Sequence, residues 1–473
     1  MTHDGGEPDR EAPTAPARGS GIARTPGALG KHAFVSFLPS SMPLLSRMNY
    51  RRELTAAFFF PLVLAAVEGG VSGVIVKNTY DGVVNDTTLN YVVAGLVAAP
   101  AFANVVSFVW ARLAHGLDKV RFINALQLGM VVSVALLAAT PRTPPGLLMF
   151  LALVLSTRVC YAGVITLRST VWGVNYPKGA RARVAGKLTT VQVLVIALVG
   201  YTLGESMQHW PGAYRLLLPL GSATAMVGVL AWSRVRVRGR RRLLRAERAH
   251  DRRERPSFNP AAIVRVLRND PCYDKYMTAQ MLLGLGNMMT WAPVVIMVKD
   301  LFEVEYRGIA LTHSIPLLAM PLSIPIWARV LDNRHVVFFR AVHSWFFVLS
   351  TALVFASGMF VAMPLLVAGV ILKGFAFGGG ALAWNLGHLD FAPEDRASEY
   401  MAVHVTLTGL RGLIAPFIGV TLYQLFETLS PGAGPWVFAV ATIVVLFAAL
   451  GFVALHRQMN RDGAPVEGAD APA

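Results

Sequence analysis

Four ionisable residues stand where the chain is otherwise long, continuous and apolar: Glu68, Arg158, Lys373 and Arg411. A charge at the centre of a bilayer costs about 2.5–3.5 kcal/mol on insertion scales, so each of these needs a partner or an aqueous cavity. Their types suit the handling of a small solute. A carboxyl whose cationic partner depends on occupancy of a site takes up and releases a proton, which makes Glu68 the candidate coupling group. Arg158 and Lys373 suit an anion, the guanidinium gripping a carboxylate or phosphate in two-pronged fashion. The rival reading is a permanent Glu68–Arg158 or Glu68–Lys373 ion pair that only holds helices together. Arg411 faces no obvious acid and is read as either solute-binding or packing. Asn287, Thr290, Trp291, Gln192 and Asn104 are polar candidates for a cavity wall, although such residues more commonly hydrogen-bond helix to helix.

The elements that carry these residues follow from composition. The chain has 473 residues, 54% hydrophobic and 15% charged, against roughly 25% charged in a soluble domain. Mean hydropathy is +0.51. Lys and Arg outnumber Asp and Glu by 43 to 27, a net charge of +16. A nucleic-acid binder would carry that charge on a far more polar chain. The apolar content excludes general disorder, and two cysteines, Cys160 and Cys272, exclude a disulfide scaffold. A spanning helix needs roughly 20 apolar residues. Twelve such stretches occur, at about 55–77, 88–111, 121–140, 145–170, 187–205, 213–232, 275–298, 307–328, 336–357, 362–386, 400–424 and 435–456. The expected fold class is therefore an all-α integral membrane protein.

Charge fixes the expected orientation. The longest polar interruption, Ser233 to Pro260, holds eleven Arg and three acids and splits the helices six plus six. With the amino terminus inside, 34 of the 43 basic residues fall on the cytoplasmic side and five outside, as the positive-inside rule requires. Both termini are then cytoplasmic, and no secretory signal is read ahead of helix 1. The domain reading is a tail over 1–52, mostly disordered, a six-helix bundle over 53–233 and an Arg-rich linker over 234–270. A second bundle over 271–457 and a tail over 458–473 complete it. The linker reads as an orientation anchor that also touches anionic lipid headgroups.

The two halves repeat each other. Trp110-Ala111-Arg112-Leu113 after helix 2 matches Trp327-Ala328-Arg329-Val330 after helix 8. Arg158 in helix 4 matches Lys373 in helix 10, and Gly200-Tyr201-Thr202-Leu203 matches Gly419-Val420-Thr421-Leu422. The offsets, 217, 215 and 219 residues, are nearly constant. With Gly116-Leu117-Asp118-Lys119-Val120-Arg121 between helices 2 and 3, its looser echo at Asp332-Asn333-Arg334, and Arg158 opening Arg158-Val159-Cys160-Tyr161-Ala162-Gly163, the chain resembles the major facilitator superfamily of secondary transporters. No Gly-Pro-rich antiporter signature is present in helix 5. The resemblance covers about residues 50 to 458, without assigning a subfamily. It implies two pseudo-symmetric six-helix bundles, with Glu68, Arg158 and Lys373 facing a central cavity. It also implies a cytoplasmic salt-bridge gate drawn from Asp118, Arg121, Asp332, Arg334 and Arg168.

No phosphate-binding loop, metalloprotease helix or nucleophile elbow appears, and His313, His343 and His404 lack metal-ligand spacing. No catalytic residue, cofactor, metal or nucleic-acid partner is expected. The main expectation is a monomeric, proton-coupled secondary transporter of the inner membrane. Its partners would be a small solute, an organic anion or zwitterion, and protons or another coupling ion. The alternative is a non-transporting membrane protein of the same fold, acting in assembly or sensing.

Overall fold

A computed structural model describes residues 35–176, 178–249, 260–392 and 397–462. Twelve helices in it are long and apolar enough to cross a membrane: Leu44–Thr79, Asp86–Val105, Lys119–Leu137, Pro144–Trp172, Val184–His209, Tyr214–Ser233, Pro271–Asp300, Ala310–Leu331, Val336–Phe360, Met363–Asn385, Val403–Leu429 and Trp436–Arg461. They are numbered helix 1 to helix 12 below. A helix satisfies its own backbone groups, which hydrocarbon demands, and no strand occurs among the described residues. The chain is an integral, multi-pass membrane protein.

Helix 1 begins at Leu44 rather than near residue 55. Arg47, Arg51 and Arg52 interrupt the hydropathy there, but they lie on one side of the helix. The other side, Ser46, Asn49, Tyr50, Glu53, Ala56 and Ala57, is buried at helical spacing. Local periodicity outweighs mean hydropathy in those turns.

The packing has the two-fold pattern of the repeat. Helix 3 lies against helices 4 and 6, and helix 1 against helix 6; helix 9 lies against helices 10 and 12, and helix 7 against helix 12. The halves meet where helix 2 packs on helix 11, helix 5 on helix 8 and the last part of helix 1 on the last part of helix 7. Equivalent tryptophans make equivalent bonds: Trp110 Nε1 donates to the Val159 carbonyl at 2.8 Å and Trp327 Nε1 to the Phe375 carbonyl at 3.0 Å. At the turn into helix 3, Gly116 takes φ +73°, a conformation that favours glycine. Asp118 then caps the helix, accepting from the Val120 and Arg121 amides.

Two spans are interrupted near mid-depth. Helix 1 runs as Leu44–Phe59, Pro61–Ala66 and Gly69–Thr79, with Glu68 extended (ψ 136°) at the break. Helix 7 runs as Pro271–Met289 and Trp291–Asp300, divided at Thr290. Helix 8 opens with a π-helical turn, Ala310–Ser314, a local form frequent at functional sites.

Candidate functional site

A cavity of about 280 Å³ lies between the halves, beside both breaks. Glu68, Gly69 and Gly70 line it from helix 1, Trp291 from helix 7, Thr312 and His313 from the π turn, and Lys373 and Phe377 from helix 10. The rest of the wall is apolar, including Val97, Ile196, Leu317 and Val370. At Gly70 the halves approach closely: a Cβ there would stand 3.0 Å from the His313 Cβ and 3.1 Å from the Thr312 carbonyl of the opposite half, so those neighbours would have to give way.

On the amino-terminal side the charge is internally balanced. Arg158, 5% exposed, places Nη2 2.9 Å from Glu68 Oε1 and donates from Nε to the Val67 carbonyl at 2.9 Å. That carbonyl is available because the helix is interrupted there. Arg158 thus stands behind Glu68 rather than on the cavity wall. Of the two ion pairs that the rival reading allows, Glu68–Arg158 forms and Lys373 does not share it.

On the carboxyl-terminal side the charge is not balanced. Lys373 is 9% exposed and donates from Nζ to Thr290 Oγ1 at 3.1 Å. Its ammonium lies 5.7 Å from the Trp291 ring centre and 5.9 Å from that of Phe377, within cation–π range. No carboxylate pairs with it among the described residues.

The other candidates lie elsewhere. Arg411 is buried and donates to the Gln280 carbonyl, its guanidinium set against Gly284 of helix 7. Asn287 is buried, and its carbonyl accepts from the Thr290 hydroxyl at 2.7 Å. Gln192 and Arg168 border a separate, smaller recess with Glu53 and Gln127. Asp118 pairs with Arg240 of the linker and stands 3.9 Å from Arg121, within its own half. Arg168 lies over Trp172 and Arg334 over Phe338. The Asp332 side chain and residues 250–259 lie outside the described residues.

Ion pairs between the halves gather instead at the end opposite the termini. Lys77 meets Asp300 at 3.1 Å, Lys299 meets Asp81 at 3.5 Å, and Arg307 holds Glu205 through two bonds of 2.8 and 3.0 Å. The bonds donated to Glu205 raise the Arg307 pKa above its ordinary range. Thr79 and Tyr306 add a hydroxyl contact of 3.3 Å.

In the sequence His313 stands only as a histidine without metal-ligand spacing; in the structure it is buried and lines the cavity. Glu53, the first residue of the expected amino-terminal bundle, is not among the candidates drawn from the sequence. Glu53 is 2% exposed and accepts from Trp172 Nε1 and Tyr176 Oη. The Asn49, Tyr50, Glu53, Ala57 spacing was the available signal.

No family model and no curated protein matches the chain. Solved structures do. The chain is similar to the nucleoside transporter NupG at 14% identity, with 86% of this chain and 99% of that chain covered and a TM-score of 0.61. It is similar to the xylose transporter XylE from E. coli, inward open, at 12% identity, 89% and 96% coverage and a TM-score of 0.59. A peptide transporter POT in complex with sulfate aligns at 13% identity, 90% and 98% coverage and a TM-score of 0.63. The chain has the major facilitator fold. Within that fold, the cavity holding Glu68 and Lys373 sits at the junction of the two six-helix bundles.

Proposed function

We propose that this major facilitator chain is a secondary transporter that carries a small organic anion or zwitterion through the inner membrane, coupled to protons at Glu68. The observation that carries the reading is the convergence of the Glu68–Arg158 pair and Lys373 on one cavity from opposite halves. Solved relatives in fold are named as transporters of nucleosides, xylose and peptides, and one is titled a D-xylose–proton symporter. These support a soluble organic cargo.

The proposed cycle is a rocking of the two bundles about the cavity. The end carrying the termini and the Arg-rich linker faces the cytoplasm, following the distribution of basic residues. Ion pairs of Lys77, Lys299 and Arg307 hold the opposite, outer end shut in this conformation. Asp118, Arg121, Asp332, Arg334 and Arg168 belong to the cytoplasmic end and would act when that end closes. Protonation of Glu68 cancels the negative charge of its pair and leaves the cavity more positive, which favours a solute anion there and ties proton occupancy to solute occupancy.

The test uses the full chain in proteoliposomes with a pH-sensitive dye inside. Adding a pool of small organic acids and amino acids outside should acidify the lumen, and Glu68→Gln should abolish that signal. Acidification that survives in both Glu68→Gln and Lys373→Met would overturn the charged-cavity mechanism.

A further inference from the structure

The cavity carries two opposed charge sites, and they are not equivalent. Glu68 already has its cation, held at 2.9 Å and anchored a second time through Val67. A solute ammonium would have to displace Arg158, leaving a guanidinium buried without an anion, which is strongly unfavourable. Lys373 has only neutral company: a threonine hydroxyl and two aromatic faces. The wall therefore presents one uncompensated positive charge.

A second donor stands beside it. The Trp291 indole N–H is buried and has no acceptor among the described residues. A buried N–H without a partner costs about 1–3 kcal/mol, which an arriving acceptor would recover. Trp291 and Phe377 also meet edge to face, 6.1 Å apart at 73°. They form an aromatic corner at the foot of the lysine, continuous with the apolar wall. The break in helix 1 adds the amino end of Gly69–Thr79 to the same cavity, a position that favours negative charge.

We infer that the solute is a monovalent organic anion with a flat, apolar body. Its carboxylate engages Lys373 and the Trp291 N–H, and its ring lies in the corner made by Trp291 and Phe377. This rests on the transport reading for the site's purpose and narrows it: zwitterions and neutral solutes are excluded. A volume near 280 Å³ suits a single small aromatic acid.

The test measures binding to the full chain in nanodiscs by titration calorimetry. Phenylacetate, benzoate and indole-3-acetate are compared with phenylacetamide, phenylalanine, phenethylamine and acetate. At least one aromatic monoanion should bind about tenfold or more tightly than phenylacetamide, phenylalanine and phenethylamine, as loss of a charged hydrogen bond predicts. Acetate, which lacks the body, should bind weakly. Lys373→Met should lose about tenfold or more, and Lys373→Arg should recover part of it. Trp291→Phe, which keeps a ring and loses the N–H, should lose a few-fold.

Equal binding of phenylalanine or phenylacetamide overturns the inference. So does undiminished binding to Lys373→Met, or failure of every aromatic monoanion to bind. Thermal unfolding of each variant reports folding separately. The two readings fail apart from each other. Binding without flux in proteoliposomes would sink the transport reading and leave the anion site standing. Flux of zwitterions or neutral solutes would sink the anion class and leave transport standing.

Discussion

Arg158 and Lys373 occupy equivalent places in the two halves, 215 residues apart, yet their surroundings are opposite. Arg158 has an acid at 2.9 Å and a backbone carbonyl released by a broken helix. Lys373 has a hydroxyl and two rings. The repeated scaffold, down to the matched Trp110 and Trp327 bonds, brings a cation to mid-depth twice. What differs is which charge the protein itself completes. The completed pair belongs to the protein's own stability and coupling. The uncompleted one is where an outside anion has something to contribute.

The largest way to break that contrast is at Arg158. Arg158→Met strands Glu68, and Glu68→Met strands Arg158 more severely, since the guanidinium is almost wholly buried. Removing one partner of a buried pair costs about 3–5 kcal/mol. Chemical unfolding in detergent should show that loss for each single variant. The double variant Glu68→Met with Arg158→Met should be more stable than either single one. If the singles lose less than about 1 kcal/mol, within the range of an exposed pair, the two residues are not a desolvated pair.

Lys373 should respond with the opposite sign. Lys373→Met removes a buried cation that lacks an acid, so the empty protein should gain about 1–2 kcal/mol. The same measurement in saturating aromatic monoanion should reverse the order, because only the wild type gains from the ligand. A destabilised empty Lys373→Met protein would mean that the ammonium is already compensated and that the two sites are alike.

Much of this arrangement was legible in the sequence because it follows from solvent. Hydrocarbon requires long apolar runs, so the twelve spans and the internal repeat could be read directly, and Glu68, Arg158 and Lys373 stood out against them. Pairing could not be read. Whether Glu68 meets Arg158 or Lys373 depends on the break at Val67 and Glu68, and no apolar count reports a break. The sequence shows Gly69 and Gly70 beside Glu68 but not what meets them: Val97 of the same half lies against Gly69, and His313 and Thr312 of the other half, more than 240 positions away, lie against Gly70. Glu53 was hidden for a simpler reason. Three arginines beside it lower the local hydropathy, and burial there is decided by one face of the helix rather than by its average.

The smallest effects belong to the outer end, where two ion pairs between the halves differ mainly in burial. The Lys77 side chain is 3% exposed while that of Arg307 is 57% exposed, although Arg307 makes two bonds to Glu205 and Lys77 a single contact to Asp300. Water and salt weaken the exposed pair despite its better geometry. Lys77→Met should therefore destabilise the closed outer end by about 1 kcal/mol, since Asp300 and Asp86 lose a shared partner but keep contact with water. Arg307→Gln should change it by less than about 1 kcal/mol, with the difference vanishing at high salt. The readout is the labelling rate of a cysteine placed at Thr79 by a membrane-impermeant maleimide, which reports opening from outside. Faster labelling in Arg307→Gln than in Lys77→Met would show that bidentate geometry, not desolvation, holds the halves together at that end.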